Sequence, residues 1–369
     1  MLTMANNTHE QDGLDQVRGR IDAIDQELLD LISERARCAQ RVAQIKTEVD
    51  GRAVQFYRPE REVSILRRVK GANPGPLDGE EVARLFREIM SACLALERPL
   101  QAAFLGPEGT FTQAAAIKHF GHSVVTRAMA TIDEIFREVE AGSCDFGVVP
   151  VENSTEGVVS HTLDLFMASP LAITGEVTLR IHHHLMSAET ELGAIRTVYS
   201  HQQSLAQCRE WLDRYLPHAE RVAVGSNADA ARTAAKEPGA AAVAGYQAAE
   251  IYDLEVLAER IEDEPGNTTR FLVIGKQDAP RSGEDKTSLL LACRNKAGGL
   301  HALLMPLAAH GISMTRIESR PSRRGIWDYV FFVDIIGHRD DLPVAAALEH
   351  LEREAQLFKV LGSYPVAVL

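Results

Sequence analysis

One short segment of the sequence places hydroxyl, amide and guanidinium groups side by side. Residues 264–271 read Glu-Pro-Gly-Asn-Thr-Thr-Arg-Phe, so Thr269 and Arg270 are adjacent. The apolar run at 271–274 predicts a buried β-strand, which can hold such groups rigidly. These groups suit a substrate with carboxylates to be bound and a hydroxyl to be protonated. An Asn-Thr-Thr sequence before a strand is also typical of an ordinary turn, so the prediction depends on neighbouring motifs.

Three further loops follow predicted strands and are rich in hydroxyl and amide groups. They are Gly-Pro-Glu-Gly-Thr-Phe at 106–111, Pro-Val-Glu-Asn-Ser-Thr-Glu-Gly at 150–157 and Ser-His-Gln-Gln-Ser at 200–204. In open α/β sheets, ligands bind beyond the carboxyl ends of the strands, where helix N-termini offer free N–H groups to anions. Each loop by itself could simply cap a helix. Together with Thr269 and Arg270, the three loops predict a binding site.

A second set of charged residues lies within a helical pattern near the N-terminus. Apolar residues recur at spacings of three and four from Leu14 to Val49, which predicts one helix of about 36 residues, roughly 54 Å long. Arg35 occupies a position in this apolar seam, where an unpaired guanidinium would be costly. Arg18 and Lys46 flank the seam and could be surface charges with their stems on the apolar stripe. Because Arg18 and Arg35 are about 25 Å apart along one helix, they can grip one small anion only in an antiparallel dimer.

The elements that must position these residues fall into three regions. The first helix is followed by predicted helices at 59–70 and 80–96. Between 102 and 275, strands alternate with helices, which favours parallel sheets with helices on both faces and two lobes with a cleft between them. A polar linker at 276–285 precedes a βαββαβ order, typical of a ferredoxin-like module. We place the domains at 14–98, 101–277 and 287–369, after a disordered tail at 1–13.

The composition narrows the class of protein. The chain has 369 residues, of which 45% are hydrophobic and 25% charged, as in an ordinary globular protein. No apolar run is long enough to span a bilayer, and a formal charge of −13 without a basic surface argues against nucleic-acid binding. Five scattered cysteines without CxxC spacing indicate reduced thiols in a cytoplasm. The three histidines at 182–184 would face both sides of a strand, so neither a metal nor a cofactor is predicted.

The N-terminal pattern resembles the all-helical chorismate mutase family, in which an intertwined homodimer rearranges a dicarboxylate without covalent catalysis. A [3,3] rearrangement moves no proton, so catalysis consists of conformational restraint and charge complementarity. The resemblance implies that the partner subunit's Arg18, together with Arg35 and Arg61, binds the carboxylates. It also implies that Lys46 stabilises the ether oxygen and that Glu62 accepts a hydrogen bond from the ring hydroxyl.

Two positions depart from a common version of this pattern. Glu97 stands where a glutamine often sits, and Arg58 stands where an aspartate is frequent. A carboxylate that faces an ether oxygen repels it, whereas a protonated carboxyl can donate a hydrogen bond. Catalysis is therefore expected to depend on the protonation of Glu97, with Arg58 and Cys93 as further substrate-binding residues.

The central motifs resemble prephenate dehydratase across essentially the whole alternating region. They are the Gly-Pro-Glu-Gly-Thr-Phe loop, Val-Pro-Val-Glu-Asn-Ser, Ser-His and Thr-Arg-Phe. The resemblance implies a two-lobed α/β fold like that of periplasmic binding proteins, and a reaction that expels CO₂ and hydroxide together. Thr269 would be the essential hydroxyl, with support from Arg270 and a proton relay through water or His201. The other binding residues that it implies are Thr110, Asn153, Ser154, Ser200 and His201.

The third module resembles an ACT domain, which usually pairs with a copy of itself to bind an amino acid. Glycines before its first predicted helix allow close approach of a ligand to the backbone, and Glu-Ser-Arg-Pro at 318–321 matches the second effector segment. The resemblance implies feedback regulation by L-phenylalanine, while a purely structural dimerisation module is the alternative. The effector-binding residues that it implies are Asn295, Gly298, Gly299, Leu300, Glu318, Ser319 and Arg320.

Together the three resemblances imply a bifunctional enzyme, at least a homodimer, that converts chorismate to prephenate and then to phenylpyruvate. A dehydratase that prefers arogenate would carry much the same motifs. A non-enzymatic solute-binding sensor with a helical dimerisation domain would also suit a two-lobed centre, although Thr269, Arg270 and Arg35 argue against it. Nucleic acid, membrane and cofactor are not expected among its partners.

Overall fold

Three long helices form the N-terminal domain. The computed structural model describes residues 2–50, 57–293, 296–322 and 329–368, apart from the side chains of 2–12, 47, 49 and 50. The helices are α1 (Leu2–Asp50), α2 (Pro59–Ala72) and α3 (Gly79–Glu97). The backbone of α1 begins at Leu2, well before the predicted start at Leu14. The tail expected at 1–13 lies largely outside the described part of the chain, because the side chains of 2–12 are not described. No helix in the described ranges is long and apolar enough to cross a membrane.

The apolar seam of α1 is exposed in the single chain. Leu14, Val17, Ile21 and Leu31 each leave half or more of their surface open to solvent. The helix has 49 residues, so the two shorter helices of its own domain cannot cover this stripe. An unpartnered apolar stripe of this length indicates a surface that packs against another chain.

The central domain alternates strands and helices, as predicted. In chain order these are β1 (Gln101–Leu105), α4 (Phe111–Phe120), β2 (Val125–Met129), α5 (Ile132–Ala141), β3 (Phe146–Asn153), β4 (Gly157–Val158), α6 (Ser160–Phe166), β5 (Ala172–Arg180), β6 (His184–Ser187), β7 (Thr197–His201), α7 (Gln202–Gln207), α8 (Arg209–Tyr215), β8 (Glu220–Val224), α9 (Asn227–Ala234), β9 (Ala240–Ala244), α10 (Tyr246–Tyr252), β10 (Glu255–Ala258) and β11 (Thr268–Gly275). The sequence pattern does not predict β2, β4, β6 or β10. The last three have only two to four residues each, and β2 is largely exposed and so lacks an apolar pattern.

The strands form two sheets, one in each lobe. The first has the order β2-β1-β3-β11-β5, with β4 beside β3, and the second has the order β10-β6-β9-β7-β8. The predicted parallel pairing is found between β1 and its neighbours β2 and β3 and between β7 and its neighbours β8 and β9. The sheets are mixed, because β11 runs antiparallel to both β3 and β5 and β6 runs antiparallel to β9. The chain leaves the first lobe after β5, builds the second lobe, and returns as β11 into the middle of the first sheet.

The C-terminal module has the predicted βαββαβ order. It consists of β12 (Asp285–Ala292), α11 (Gly299–Ala309), β13 (Met314–Pro321), β14 (Tyr329–Ile336), α12 (Leu342–Glu354) and β15 (Leu357–Pro365), with an antiparallel sheet ordered β13-β14-β12-β15. Leu289 and Val333 on one face of the sheet pack under α11 and α12. Leu290 and Phe332 on the other face join the core of the first lobe, in one cluster with Phe166. The module is therefore fused to the central domain by a continuous apolar core.

A network of buried ion pairs also stabilises the interface between the C-terminal module and the central domain. From β11, Arg270 Nη1 donates to Asp334 Oδ2 at 2.6 Å, Nε to Glu176 Oε2 at 3.0 Å and Nη2 to the Tyr364 hydroxyl at 3.0 Å. Lys286 donates to the other oxygen of Glu176 at 2.7 Å. Burial by itself would lower the pKa of Arg270, but the proximity of Tyr364, Asp334 and Glu176 raises it. The guanidinium is therefore held as a cation between two domains.

We expect Arg270→Met to lower the free energy of unfolding by about 3–5 kcal/mol, because it leaves the carboxylate of Asp334 buried without its cation. Arg221→Met is the matched control, since Arg221 pairs with the exposed carboxylate of Asp213 and such pairs contribute only about 0–1 kcal/mol. Urea unfolding of both variants, followed by circular dichroism, measures the difference. Equal stability of the two variants would contradict a structural role for the buried network.

Candidate active sites

A cavity of about 400 Å³ lies between α1, α2 and α3. Arg35, Val42 and Lys46 of α1 and Cys93 and Glu97 of α3 recur at intervals of four and seven residues, so each set lies on one helix face turned to this cavity. The sequence-predicted residues that line the cavity are Arg35, Lys46, Arg58, Arg61, Glu62, Cys93 and Glu97. The fold thus brings together residues that are far apart in the sequence.

Arg18 lies outside this cavity in the single chain. Its guanidinium is exposed, with Nη1 donating to Asp15 Oδ1 on the same helix at 3.4 Å. Arg58 lines the cavity but is half exposed, and its Nε donates to Glu60 Oε1 at 2.7 Å. The cationic wall of the cavity within one chain is therefore formed mainly by Arg35, Lys46 and Arg61.

Glu97 is one of two carboxyl groups of this cavity whose pKa is raised by burial. Its Oε2 is buried without a hydrogen-bond partner among the described residues. Burial raises the pKa of Glu97, while Lys46 and Arg35 act in the opposite direction and lower it. Because burial prevails, the protonated carboxyl is favoured over a wider pH range than usual, and it can donate a hydrogen bond into the cavity.

Glu62 is the second carboxyl group of the cavity and is almost buried. Burial raises the pKa of Glu62, and the guanidinium of Arg87 lowers it. Glu62 and Arg87 form an ion pair, with 3.3 Å between Glu62 Oε1 and Arg87 Nε. Glu62 is therefore held by a cation on α3 that the sequence motifs do not include.

A second cavity, of about 420 Å³, opens between the two lobes of the central domain. Thr269 of β11, Asn153 at the end of β3, Thr110 at the N-cap of α4 and His201 at the end of β7 all line it. Their positions agree with the expectation that a ligand lies beyond strand ends and at helix N-termini. The central motifs of the sequence therefore converge on one cleft.

The hydroxyl of Thr269 is oriented by Asn153. Asn153 Nδ2 donates to Thr269 Oγ1 at 2.8 Å and to Asn267 Oδ1 at 2.7 Å. The Oδ1 atom of Asn153 accepts from the backbone N–H groups of Thr155 and Glu156 at 3.0 and 3.1 Å, which assigns the orientation of the amide. Because the Thr269 oxygen accepts from Asn153, its own proton points to other groups and can be donated into the cavity.

Ser154 and Ser200, predicted as binding residues, do not line this cavity. Ser154 Oγ accepts from the backbone N–H of Thr268 at 2.9 Å and so ties the end of β3 to β11. Ser200 is fully buried, and its hydroxyl donates to the carbonyl of Val243 at 2.6 Å. Both hydroxyls are used to hold the backbone that carries the cavity residues.

Arg270 does not line the cavity either, although it follows Thr269 directly. Successive side chains of a strand point to opposite faces of the sheet. Thr269 and Phe271 face the cavity, so Arg270 faces the C-terminal module. Its predicted support of the binding site is therefore not a direct contact with a bound ligand.

Among the cavity residues absent from the predicted site, four polar ones form a hydrogen-bonded group, namely Glu156, His183, Gln207 and Asn267. Gln207 Oε1 accepts from Asn267 Nδ2 at 3.2 Å and lies 2.8 Å from His183 Nε2, while Gln207 Nε2 donates to Glu156 Oε1 at 3.3 Å. Burial raises the pKa of Glu156, which His201 lowers, and burial also lowers the pKa of His183. Glu156 lies within the loop 150–157 and could have been found from it, whereas an isolated glutamine carries no sequence signal.

The effector segments of the C-terminal module lie at the same end of its sheet. Ala292 at the end of β12 and Arg320 near the end of β13 pair with Val330 from opposite sides, so the segments are one strand apart. Gly298, with a φ of 75°, caps α11 just before Gly299 and Leu300. Glu318 and Ser319 lie on β13, the edge strand, and Asn295 lies outside the described residues.

Arg320 differs from the other predicted effector residues. Its Nη2 donates to Asp164 Oδ1 at 3.1 Å and its Nη1 donates to Ser160 Oγ at 2.8 Å, both on α6. The side chain of Arg320 therefore contacts the central domain. The sequence motif could not reveal this contact, because the two partners are separated from it by more than 150 residues.

Three family models match successive parts of the chain, described as chorismate mutase type II for residues 17–98, prephenate dehydratase for 102–279 and ACT domain for 287–353. The bifunctional chorismate mutase/prephenate dehydratase of Stutzerimonas stutzeri is 60% identical over 98% of this chain and 100% of that protein. Its counterpart from Neisseria gonorrhoeae is 55% identical over 95% of this chain and 97% of that protein.

A solved structure extends the comparison to the fold. The crystal structure of prephenate dehydratase from Arthrobacter aurescens in complex with L-Phe superposes with a TM-score of 0.67 and 34% identity, covering 72% of this chain and 90% of that one. The part covered is large enough to hold the two-lobed domain and the ACT module. With its helical domain, its two-lobed domain and its ACT domain in this order, the chain belongs to the bifunctional chorismate mutase/prephenate dehydratase family.

Proposed function

We propose how the two activities of this enzyme are divided between its two cavities. The rearrangement of chorismate to prephenate is assigned to the cavity between α1, α2 and α3. The conversion of prephenate to phenylpyruvate is assigned to the cavity between the lobes. Both assignments rest on one observation, namely that the motif residues meet in these two cavities. Cations and carboxyl groups line the first cavity, and the hydrogen-bonded pair of Thr269 and Asn153 lines the second.

In the first cavity, Arg35 and Arg61 bind the substrate carboxylates. Lys46 stabilises the ether oxygen on which negative charge develops as the C–O bond breaks, and protonated Glu97 donates a hydrogen bond to the same oxygen. Glu62 accepts a hydrogen bond from the ring hydroxyl. The cavity walls restrain the flexible side chain of the substrate in the reactive geometry.

In the second cavity, the loss of CO₂ and the loss of hydroxide are coupled. The electron pair of the breaking C–CO₂⁻ bond enters the ring, the ring becomes aromatic, and the C–O bond to the leaving hydroxyl breaks. Thr269 donates the proton that converts the leaving hydroxide to water, and Asn153 keeps the threonine oxygen turned for this donation. A relay through water, His201 and Glu156 returns a proton to Thr269, supported by the raised pKa of Glu156. The same residues could also bind arogenate. Prephenate is proposed as the substrate because the matching family model and the relatives are prephenate dehydratases.

The active form is proposed to be a homodimer or a larger homo-oligomer. The exposed apolar seam of α1 supports a second copy of the chain as its partner, because an identical stripe is available on every copy. An antiparallel arrangement brings the partner subunit's Arg18 to the cavity that contains Arg35. The five free cysteines support a cytoplasmic location.

The C-terminal module is proposed to bind L-phenylalanine and to inhibit the dehydratase reaction. Support comes from the ACT family match and from the relative in complex with L-Phe. The residues assigned to this ligand are Asn295, Gly298, Gly299, Leu300, Glu318 and Ser319. Arg320 is assigned instead to the contact with α6. Because the module shares a core with the first lobe, a change in its sheet can bias the cavity that contains Thr269.

We expect Thr269→Val to lower the kcat/KM of the dehydratase by about 100-fold or more, because the proton donor is lost while the side-chain volume is kept. Mutase activity should be unchanged. Thr269→Ser is the matched control and should keep a substantial part of the activity. Phenylpyruvate formation from prephenate and chorismate consumption are followed separately by absorbance. Near-normal dehydratase activity in Thr269→Val would exclude this role for Thr269.

We expect the kcat/KM of the mutase to decline as pH rises through the pKa of Glu97. Burial raises this pKa, so the protonated donor persists to higher pH than for an ordinary glutamate, and the carboxylate formed above the pKa repels the ether oxygen. Glu97→Gln, a neutral donor at every pH, should flatten the profile. An unchanged profile in Glu97→Gln would remove Glu97 from the site. The control is Glu81→Gln, at a half-exposed glutamate in the first turn of α3 outside the cavity.

A mixing experiment tests the shared site. Arg18→Ala and Arg35→Ala homodimers should each lose most mutase activity, since each lacks a carboxylate-binding cation. Re-association of equal amounts creates heterodimers with one intact and one doubly altered site, so we expect recovery of about a quarter of wild-type activity. If both arginines served a site within one chain, mixing would recover nothing.

A further inference from the structure

Arg87 of α3 contacts both enzymatic domains at once. Only 7% of its surface is exposed. Its Nε atom lies 3.3 Å from Glu62 Oε1, in the wall of the mutase cavity. Its Nη1 atom donates to the carbonyls of Lys118 and His119 at 2.7 and 2.8 Å. A single buried guanidinium therefore joins a proposed catalytic carboxylate to the backbone of the dehydratase domain.

The two carbonyls belong to the last turn of α4, whose other end borders the dehydratase cavity. Thr110 is the N-cap of α4, Phe111 is its first residue, and both line that cavity. The helix has 10 residues, so it spans about 15 Å. The last carbonyls of a helix have no partner within it and carry the negative end of its dipole, which makes them a natural site for a cation. The helix thus connects Arg87 directly to the dehydratase cavity.

Other residues of α3 hold the chain that follows α4. Glu88 Oε2 accepts from the backbone N–H of His122 at 3.0 Å, and Ser91 Oγ accepts from that of Ser123 at 3.2 Å. Gly121, with a φ of 77°, lies so close to α3 that a Cβ atom there would be 2.4 Å from Ser91 Cβ. Because α3 is in tight contact with the segment that directly follows α4, a displacement of this face of α3 is expected to shift the end of α4.

A second contact between the helical domain and the end of α4 lies beside Arg87. Tyr57 lines the mutase cavity, and its hydroxyl oxygen lies 3.1 Å from Nε2 of His119. Burial, together with the nearby Arg87, lowers the pKa of His119 to about 3, so the ring is neutral. Tyr57 also packs on Phe120, in a core that extends to Phe146 of β3. The mutase cavity and the first lobe therefore share buried side chains.

We propose that Arg87 is a positioning residue that couples the two active sites. When a dicarboxylate occupies the mutase cavity, Glu62 turns its carboxylate to the ligand hydroxyl, and the ion pair with Arg87 rearranges. Arg87 then holds the carbonyls of α4 differently, and the position of Thr110 at the far end of α4 changes. By reciprocity, a ligand in the dehydratase cavity changes the affinity of the mutase cavity by the same factor. This coupling rests on the proposed roles of Glu62 and Thr110.

The test measures the kcat/KM of the full-length enzyme for prephenate, with and without a saturating, stable bicyclic dicarboxylate that mimics the mutase transition state. In the wild type we expect the analogue to change this value about fivefold or more, in the range usual for coupled sites. In Arg87→Gln we expect the effect to disappear. Arg84→Gln is the matched control, because Arg84 lies on the same helix, is exposed and pairs with Glu81, and it should keep the wild-type effect.

Two further variants keep the test decisive. In Arg35→Ala the mutase cavity should no longer hold the analogue, so its effect on the dehydratase should vanish; an effect that persists there reports direct binding between the lobes and overturns the proposal. Arg87→Lys replaces Arg87→Gln if the latter does not fold. Arginine contacts Glu62 through Nε and the two carbonyls through Nη1, whereas lysine has a single nitrogen for all three, so we expect the effect to fall by at least half.

The remaining outcomes are also distinct. The proposal is overturned if the analogue abolishes wild-type mutase activity but leaves the dehydratase unchanged, or if Arg87→Gln keeps the full effect. An enzyme that does not turn over prephenate without the analogue would instead contradict the proposed function. The two failures therefore cannot be confused.

Discussion

The insertion of β11 between β3 and β5 is the constraint on which the rest of the structure depends. The strand is hydrogen-bonded on both sides, and Thr269 is paired directly with Asn153. Because successive side chains of a strand point to opposite faces, two adjacent residues of β11 contact different parts of the molecule. Thr269 faces the cleft between the lobes, and Arg270 faces the ACT domain with its ion pairs to Glu176 and Asp334. A change in the ACT sheet therefore acts on the strand that carries Thr269.

A shared apolar core stabilises the contact between the ACT domain and the first lobe. Apolar side chains of the ACT sheet and of the first lobe form one cluster, so the two parts cannot separate without exposing it. A second ion pair lies nearby, with Arg316 Nε of β13 donating to Glu152 Oε2 at 2.9 Å. Glu152 precedes Asn153, the residue that orients Thr269. The edge strand β13 is thus linked to the dehydratase cavity through one ion pair and one peptide bond.

The helical domain depends on burial and charge in a different way. Its cavity combines cations for a dicarboxylate with two carboxyl groups, Glu62 and Glu97, whose pKa values burial raises. The two groups differ in their partners, since Glu62 has Arg87 within 3.3 Å and Glu97 Oε2 has no hydrogen-bond partner in the described ranges. The ion pair with Arg87 therefore favours the carboxylate of Glu62 against the effect of burial, and Lys46 and Arg35 oppose the effect of burial at Glu97.

The sequence by itself determined the features that depend on local pattern. Helical spacing indicated α2, α3 and most of α1, the order of elements indicated the βαββαβ module, and the loop motifs indicated Thr110, Asn153 and Thr269. These signals arise because periodicity and turn chemistry act between residues that are close in the chain. Only the tertiary structure decided the antiparallel direction of β11, which depends on the chain returning from the second lobe.

The same physical reason explains the residues whose roles changed or were missed. Arg270 and Asp334 are 64 positions apart, Gln207 and Asn267 are 60 apart, and Arg87 contacts a carbonyl 31 positions away. No periodicity or motif links such pairs, because their contacts exist only after the domains have packed. The residue types capable of the chemistry could therefore be read from the sequence, whereas the partners that orient them were set by packing between domains.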